Sequence, residues 1–86
     1  MKVSFEANAW EDYLYWQKTD KKILKKIHQL ILDIQRNPYF GIGKPEPLKF
    51  QLSGFWSRRI TDEHRLVYFI KDDQTEMIIA QLRNHY

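Results

Sequence analysis

The sequence predicts an α+β domain in which two amino-terminal helices pack on one face of a small, mainly antiparallel β-sheet. Two observations carry this expectation. From Ile23 to Ile34 apolar residues recur at three- and four-residue intervals, the period of an amphipathic helix. After Gly54 the pattern changes to three strand-like runs separated by polar turns. A chain of 86 residues has room for one core, so residues 1–86 are read as a single domain.

Lys2 to Phe5 reads as a short first strand. Asn8, with Glu11 three residues later, has the spacing of an N-cap and its reciprocal partner, which predicts a helix from about Ala9 with Trp10, Tyr13 and Leu14 on its apolar side. Thr19-Asp20 interrupts that helix and caps the next. The second helix carries Ile23, Leu24, Ile27, Leu30, Ile31 and Ile34, and it should stop at Asn37, because the residue before Pro38 is disfavoured in the helical region. From Tyr39 to Leu48, Gly41, Gly43, Pro45 and Pro47 suit an exposed connection with fixed bends and little regular structure. Strands are expected over 55–61, 65–71 and 77–83, with turns at Asp62-Glu63 and Asp72-Asp73-Gln74. In the middle strand Leu66, Tyr68 and Ile70 point one way while Arg65, Val67 and Phe69 point the other, so the face carrying Arg65 is a candidate working surface.

Composition excludes several classes. Hydrophobic residues make up 43% of the chain, which supports a globular core and not a disordered chain. With no cysteine there is neither a disulfide framework nor a thiolate zinc site, and the scattered histidines suggest no metal site. The longest apolar stretches, such as Leu66 to Ile70, are too short to span a bilayer, and no signal-like segment opens the chain, so the expected location is the cytoplasm. A net charge of +3 favours an anionic partner. Lys18, Lys21, Lys22, Lys25 and Lys26 read as a solvated helix face; Lys44, Lys49, Arg58, Arg59 and Arg65 are spread over loop and strands.

The terminal pair His85-Tyr86 gains meaning from Glu46, Arg59 and Arg65 upstream. Together they are a kit for RNA cleavage without a metal or other cofactor: a carboxylate to take a proton, an imidazole to return one, guanidinium groups to hold a phosphate, and an aromatic ring on which a base can stack. Glu46 stands between two prolines, whose fixed φ restricts its backbone. Each residue alone has a plainer reading. Arg65 beside Glu63 suits a solvated surface ion pair, and the last residues of a chain commonly fray. His28 suits a surface position, His64 a hairpin turn, and Trp10, Trp16 and Trp56 core or interface positions.

The run Gly43-Lys44-Pro45-Glu46-Pro47-Leu48-Lys49, continued by Leu52-Ser53-Gly54-Phe55-Trp56-Ser57-Arg58-Arg59-Ile60 and Glu63-His64-Arg65-Leu66-Val67-Tyr68, closely resembles the YoeB toxin family. These are RelE-type toxins of bacterial toxin–antitoxin pairs. The likeness extends to Asp12-Tyr13-Leu14-Tyr15-Trp16-Gln17 and to His85-Tyr86. It implies a RelE-like, microbial-RNase-like fold and a messenger RNA endonuclease that cuts the codon in the A site of the 70S ribosome. It also implies neutralisation by a YefM-type antitoxin, and a homodimer. By position, Glu46 would be the general base, His85 the general acid, and Arg65 the group that stabilises charge on the phosphoryl oxygens. Arg59 and Lys49 would add positive charge, Tyr86 would hold the displaced base and sugar, and Glu63 would orient the arginines, or replace Glu46 as the base.

Two other functions stay open on the residues. One is a non-catalytic toxin comparable to the ParE gyrase inhibitors, which would not need Glu46, Arg65 and His85 together. The other is an RNA-binding module built on the lysine face, for which binding falls with salt and no cleavage occurs. On the catalytic reading Arg65 and His85 are exposed, so replacing either by alanine is expected to suppress cleavage and leave folding nearly intact.

Overall fold

Asp20 separates two helices, α1 (Ala7–Thr19) and α2 (Lys21–Arg36). Its backbone N–H closes α1 on the Trp16 carbonyl, and its side chain accepts from the N–H groups of Lys22 and Ile23. One extended residue thus ends one helix and begins the next, as expected. The computed structural model, which describes residues 1–84, adds five strands: β1 (Lys2–Phe5), β2 (Glu46–Pro47), β3 (Trp56–Arg59), β4 (Arg65–Ile70) and β5 (Glu76–Gln81). They form one sheet in the order β1-β5-β4-β3-β2. β1 runs parallel to β5, and every other neighbouring pair is antiparallel.

Both helices cover the same face of the sheet. Ile27, Leu30 and Ile34 of α2 and Ala9 and Trp16 of α1 meet Leu66, Tyr68 and Ile70 of β4 and Met77 and Ile79 of β5 in one core. The period of α2 and the alternation of β4 therefore meet along a single surface, and the opposite face of β4, with Arg65, Val67 and Phe69, is left to the other side of the sheet. No helix among the described residues is long and apolar enough to cross a membrane.

Trp10 and Leu14, expected on the apolar side of α1, are 47% and 43% exposed, because that helix turns Ala9 and Trp16 to the core instead. Three further expectations about the fold are not met. Asn8 is not the N-cap of α1, which begins at Ala7. Its side-chain amide donates instead to the Ala80 carbonyl at 2.7 Å. The register explains this: Tyr68 lies opposite Ile79 and Val67 opposite Gln81, so Ala80 is the extra residue of a bulge whose carbonyl needs a partner outside the ladder. The connection after α2 is not wholly irregular either, because Glu46 and Pro47 pair with Ser57 and Trp56. A proline fits there since β2 is an edge strand.

The third departure is Arg58, which the sequence suggested as part of a dispersed basic group and which is 0% exposed. It lies opposite Leu66 on β4, and so points with Leu66 into the helix-covered side. There its Nη1 donates to the Asp33 carboxylate and the Ile42 carbonyl, and its Nη2 to the carbonyls of Asn37 and Phe40. Its Nε donates to the Tyr68 hydroxyl, which in turn donates to the Pro38 carbonyl at 2.6 Å. A charge taken fully out of water is tolerated because its donor groups meet fixed oxygens. Gly41 is required beside it: its φ is +127°, and a Cβ there would stand 2.0 Å from the Asp33 carboxylate.

The hydrogen bond from Arg58 holds the Asp33 carboxyl below its ordinary pKa. A group depressed in this way contributes stability that is complete above the unfolded value of about 4 and is lost as pH falls through the lower folded value. Asp33→Asn strands a buried guanidinium and should cost about 3 kcal/mol, a large share of the roughly 4–13 kcal/mol available to a domain of this size. Urea unfolding should show this gap at about pH 7 and its narrowing as pH falls below the ordinary carboxylate value of about 4, and a gap that does not change with pH contradicts the pairing.

Candidate active site

The face of the sheet turned away from the helices carries the sequence-predicted groups in register. Trp56 packs against the core, so Ser57, the next residue of β3, belongs to the opposite side. Glu46 lies opposite Ser57, Ser57 opposite Val67, and Arg59 opposite Arg65. Glu46, Arg59 and Arg65 therefore share one face, although they come from three strands. Two inter-strand spacings and two residues of rise put the Cα atoms of Glu46 and Arg65 about 12 Å apart, a gap that the two side chains can close on a bound nucleotide.

Arg59 and Arg65 occupy paired positions of β3 and β4, and each adds a positive charge to this face. The two differ in their surroundings. Arg59 is exposed. Arg65 is only 7% exposed, and its Nη1 donates to the carbonyls of Thr61, Asp62 and His64 at 2.7, 3.1 and 3.1 Å. It is therefore not the solvated partner of Glu63 that its sequence neighbour suggested. Among the described residues the ion pairs are Arg58 with Asp33 and Lys71 with Glu76. Three carbonyls of one turn aim the Arg65 guanidinium before any ligand arrives.

Glu46 is exposed and shares a cleft of about 320 Å³ with Lys49, Phe50 and Leu52. Phe50, which opens a short 3₁₀ turn (Phe50–Leu52), is 87% exposed and has a φ of +57°. A second cleft, of about 350 Å³, is bordered by Lys26, Lys44, Arg59 and Asp62. Glu63 is exposed in the turn between β3 and β4, where its backbone N–H donates to Thr61 Oγ1. His85 and Tyr86, the remaining predicted site residues, lie outside the described residues.

The chain leading to them is tied down residue by residue. After the bulge at Ala80, the Leu82 N–H donates to the Asp12 carboxylate and the Leu82 carbonyl accepts from Trp16 Nε1 at 2.8 Å. Asn8, Asp12 and Trp16 stand at four-residue intervals on α1, so one stripe of that helix holds three successive points of the carboxyl-terminal segment. The Arg83 guanidinium lies 3.7 Å from the centre of the Tyr15 ring. Asn84 has a φ of +67°, a left-handed conformation that asparagine tolerates better than most residues. Its N–H donates to His64 Nδ1 at 2.8 Å, and its carbonyl accepts from the Arg65 N–H at 3.1 Å.

Sequence reading missed this clamp. Its signal was the Asn8, Asp12, Trp16 spacing, which puts hydrogen-bonding side chains where an amphipathic helix carries apolar ones. Other expectations hold. His28 is exposed, bonded to the Tyr13 hydroxyl at 2.9 Å, and Trp16 is a buried core residue.

Comparisons with known proteins agree on the fold and the family. A family model for YoeB-like toxins of bacterial type II toxin–antitoxin systems matches residues 5–86. The toxin YoeB of Escherichia coli K12 is 60% identical over 86 residues, covering 100% of both chains. The solved YoeB/ParE toxin from Agrobacterium tumefaciens is 45% identical with a TM-score of 0.97, again over 100% of both chains. Staphylococcus aureus YoeB, solved as a dimer and in a heterotetrameric complex with YefM, is 48% identical over 100% of this chain and 98% of that one, with TM-scores of 0.92 and 0.90. With the fold, the conserved length and the sequence blocks in agreement, this chain belongs to the YoeB toxin family of bacterial type II toxin–antitoxin systems.

Proposed function

We propose that this toxin is a ribosome-dependent messenger RNA endoribonuclease. The observation that carries the reading is the opposed pair Arg59–Arg65 on the same face as Glu46. Two cations carried at paired strand positions favour a bound anion, and a phosphodiester supplies it next to a carboxylate able to accept a proton. Glu46 takes the proton from a ribose 2′-OH, whose oxygen attacks the adjacent phosphorus. Arg65, held by the turn carbonyls, stabilises the charge that builds on the phosphoryl oxygens, and Arg59 and Lys49 add to the positive field. His85 protonates the departing 5′-oxygen, and Tyr86 holds the displaced base and sugar. The P–O5′ bond breaks as the P–O2′ bond forms, leaving a 2′,3′-cyclic phosphate, open to hydrolysis to a 3′-phosphate, and a 5′-OH end.

Glu46 is favoured over Glu63 as the base, because β2 fixes its backbone between Pro45 and Pro47 whereas Glu63 sits in the turn. Neither proton transfer nor the arginine contact supplies more than about 10² to 10⁴ in rate. In-line alignment of the 2′-oxygen, phosphorus and leaving oxygen has to come from elsewhere, and message threaded through the A site of the 70S ribosome provides it. A YefM-type antitoxin would neutralise the toxin, and a homodimer is the form expected in the absence of antitoxin. The solved complexes and dimer of the Staphylococcus aureus relative support both partners. Action on ribosome-bound message places the protein in the cytoplasm.

Mapping of 5′ ends on a defined message should show cuts in the A-site codon only when programmed ribosomes are present, and His85→Ala should slow them by about 10² to 10⁴. Ribosome-dependent cutting that His85→Ala leaves at the wild-type rate contradicts the assignment. Arg65→Ala should lose cleavage by about 10² to 10³ and, contrary to the sequence expectation, also cost about 1–3 kcal/mol, because three turn carbonyls lose their donor. Arg59→Ala should weaken activity without any change in the urea midpoint, since the side chain is exposed. Equal stability of the Arg65→Ala and wild-type proteins would contradict the buried geometry.

A further inference from the structure

We propose that His64 is a positioning residue that fixes the carboxyl-terminal segment and thereby sets where His85 acts. The inference rests on the reading of His85 as the general acid. Asn84 is the residue before His85, and its two backbone polar groups are bound by consecutive residues, the N–H by His64 Nδ1 at 2.8 Å and the carbonyl by the Arg65 N–H at 3.1 Å. Two bonds to adjacent residues fix orientation as well as position. They also tie the segment to the same residue, Arg65, whose guanidinium faces the phosphate in the proposed reaction.

His64 is itself immobilised. Its ring meets the Trp16 indole edge to face, with centroids 4.7 Å apart at 71°. Its N–H donates to Thr61 Oγ1, and its carbonyl accepts from the Ile60 N–H and from Arg65 Nη1. Because Nδ1 accepts from the Asn84 N–H, the ring proton resides on Nε2. A single hydrogen bond of this kind is a small part of folding, whereas a misplacement of about 1 Å at a reacting group costs on the order of 100-fold in rate. The effect of His64 should therefore be read in turnover far more than in stability.

His64→Phe keeps an aromatic ring against Trp16 and removes the acceptor, and His64→Asn keeps an acceptor oxygen close to the place of Nδ1. On programmed ribosomes, single-turnover cleavage by His64→Phe should fall about 10- to 100-fold with ribosome affinity unchanged. His64→Asn should recover most of the loss. In the free protein, hydrogen exchange of the Asn84 amide should quicken in His64→Phe and slow again in His64→Asn. Combining His64→Phe with His85→Ala should add no further loss beyond that of His85→Ala, since the two act through one proton transfer. Wild-type turnover in His64→Phe, or a loss that adds in full to that of His85→Ala, overturns the positioning role. Wild-type turnover in His85→Ala defeats the functional reading instead, and the Asn84 exchange rates separate the two failures.

Discussion

The fully buried guanidinium of Arg58 organises the connection that leads to Glu46. Arg58 lies between helix and sheet with no exposed surface and meets the Asp33 carboxylate, three carbonyls of the segment 37–42 and the Tyr68 hydroxyl. Burying a guanidinium is costly, so the loop after α2 is not free to choose its path: its carbonyls have to converge on that charge. The next link is the Arg59 N–H, which donates to the Gly43 carbonyl at 2.7 Å and leads the chain into β2, where Glu46 pairs with Ser57. The carboxylate of the open face is thus placed through a polar network on the hidden one.

The carboxyl-terminal segment up to Asn84 is held by a second network, independent of the first. A bulge at Ala80 breaks the β4–β5 ladder, and Asn8, Asp12 and Trp16 take up the backbone groups that it frees. His64 and the Arg65 N–H complete the clamp at Asn84. In a domain with no disulfide, two hydrogen-bond networks anchored on the helix-covered side do the work of holding loops in place. On the opposite face of β3 and β4 the exposed Arg59 is not needed for the fold, whereas the buried Arg65 serves both the turn and the proposed chemistry.

Much of this was legible in the sequence where a local rule governs. The period of α2, the Asp20 cap, the stop at Asn37 and the two faces of β4 all follow from periodicity and capping, and the long matching blocks carried the family. What local rules could not supply was the long-range partner. Asn8 satisfied the pattern of an N-cap, yet the bulge 72 residues away gave its amide a better use. Arg58 looked like one more surface cation. Its alternation with Trp56 and Ile60 would have marked it as inward-facing, but its partners lie in a loop whose path only the fold reveals. Arg65 was rightly put on the open face and wrongly thought solvated, because its carbonyl partners belong to a turn closed by tertiary packing.

The central claim, that the open face cleaves ribosome-bound message by attack of a 2′-hydroxyl, is tested most directly by removing that hydroxyl from the substrate and leaving the protein intact. A message carrying a single 2′-deoxynucleotide on the 5′ side of the cut phosphate should bind programmed ribosomes normally and resist cleavage by the wild-type toxin, while the all-ribose message is cut. Cutting of the deoxy-substituted message at the same phosphate would mean that water or another nucleophile attacks, and the roles given to Glu46 and His85 would not stand.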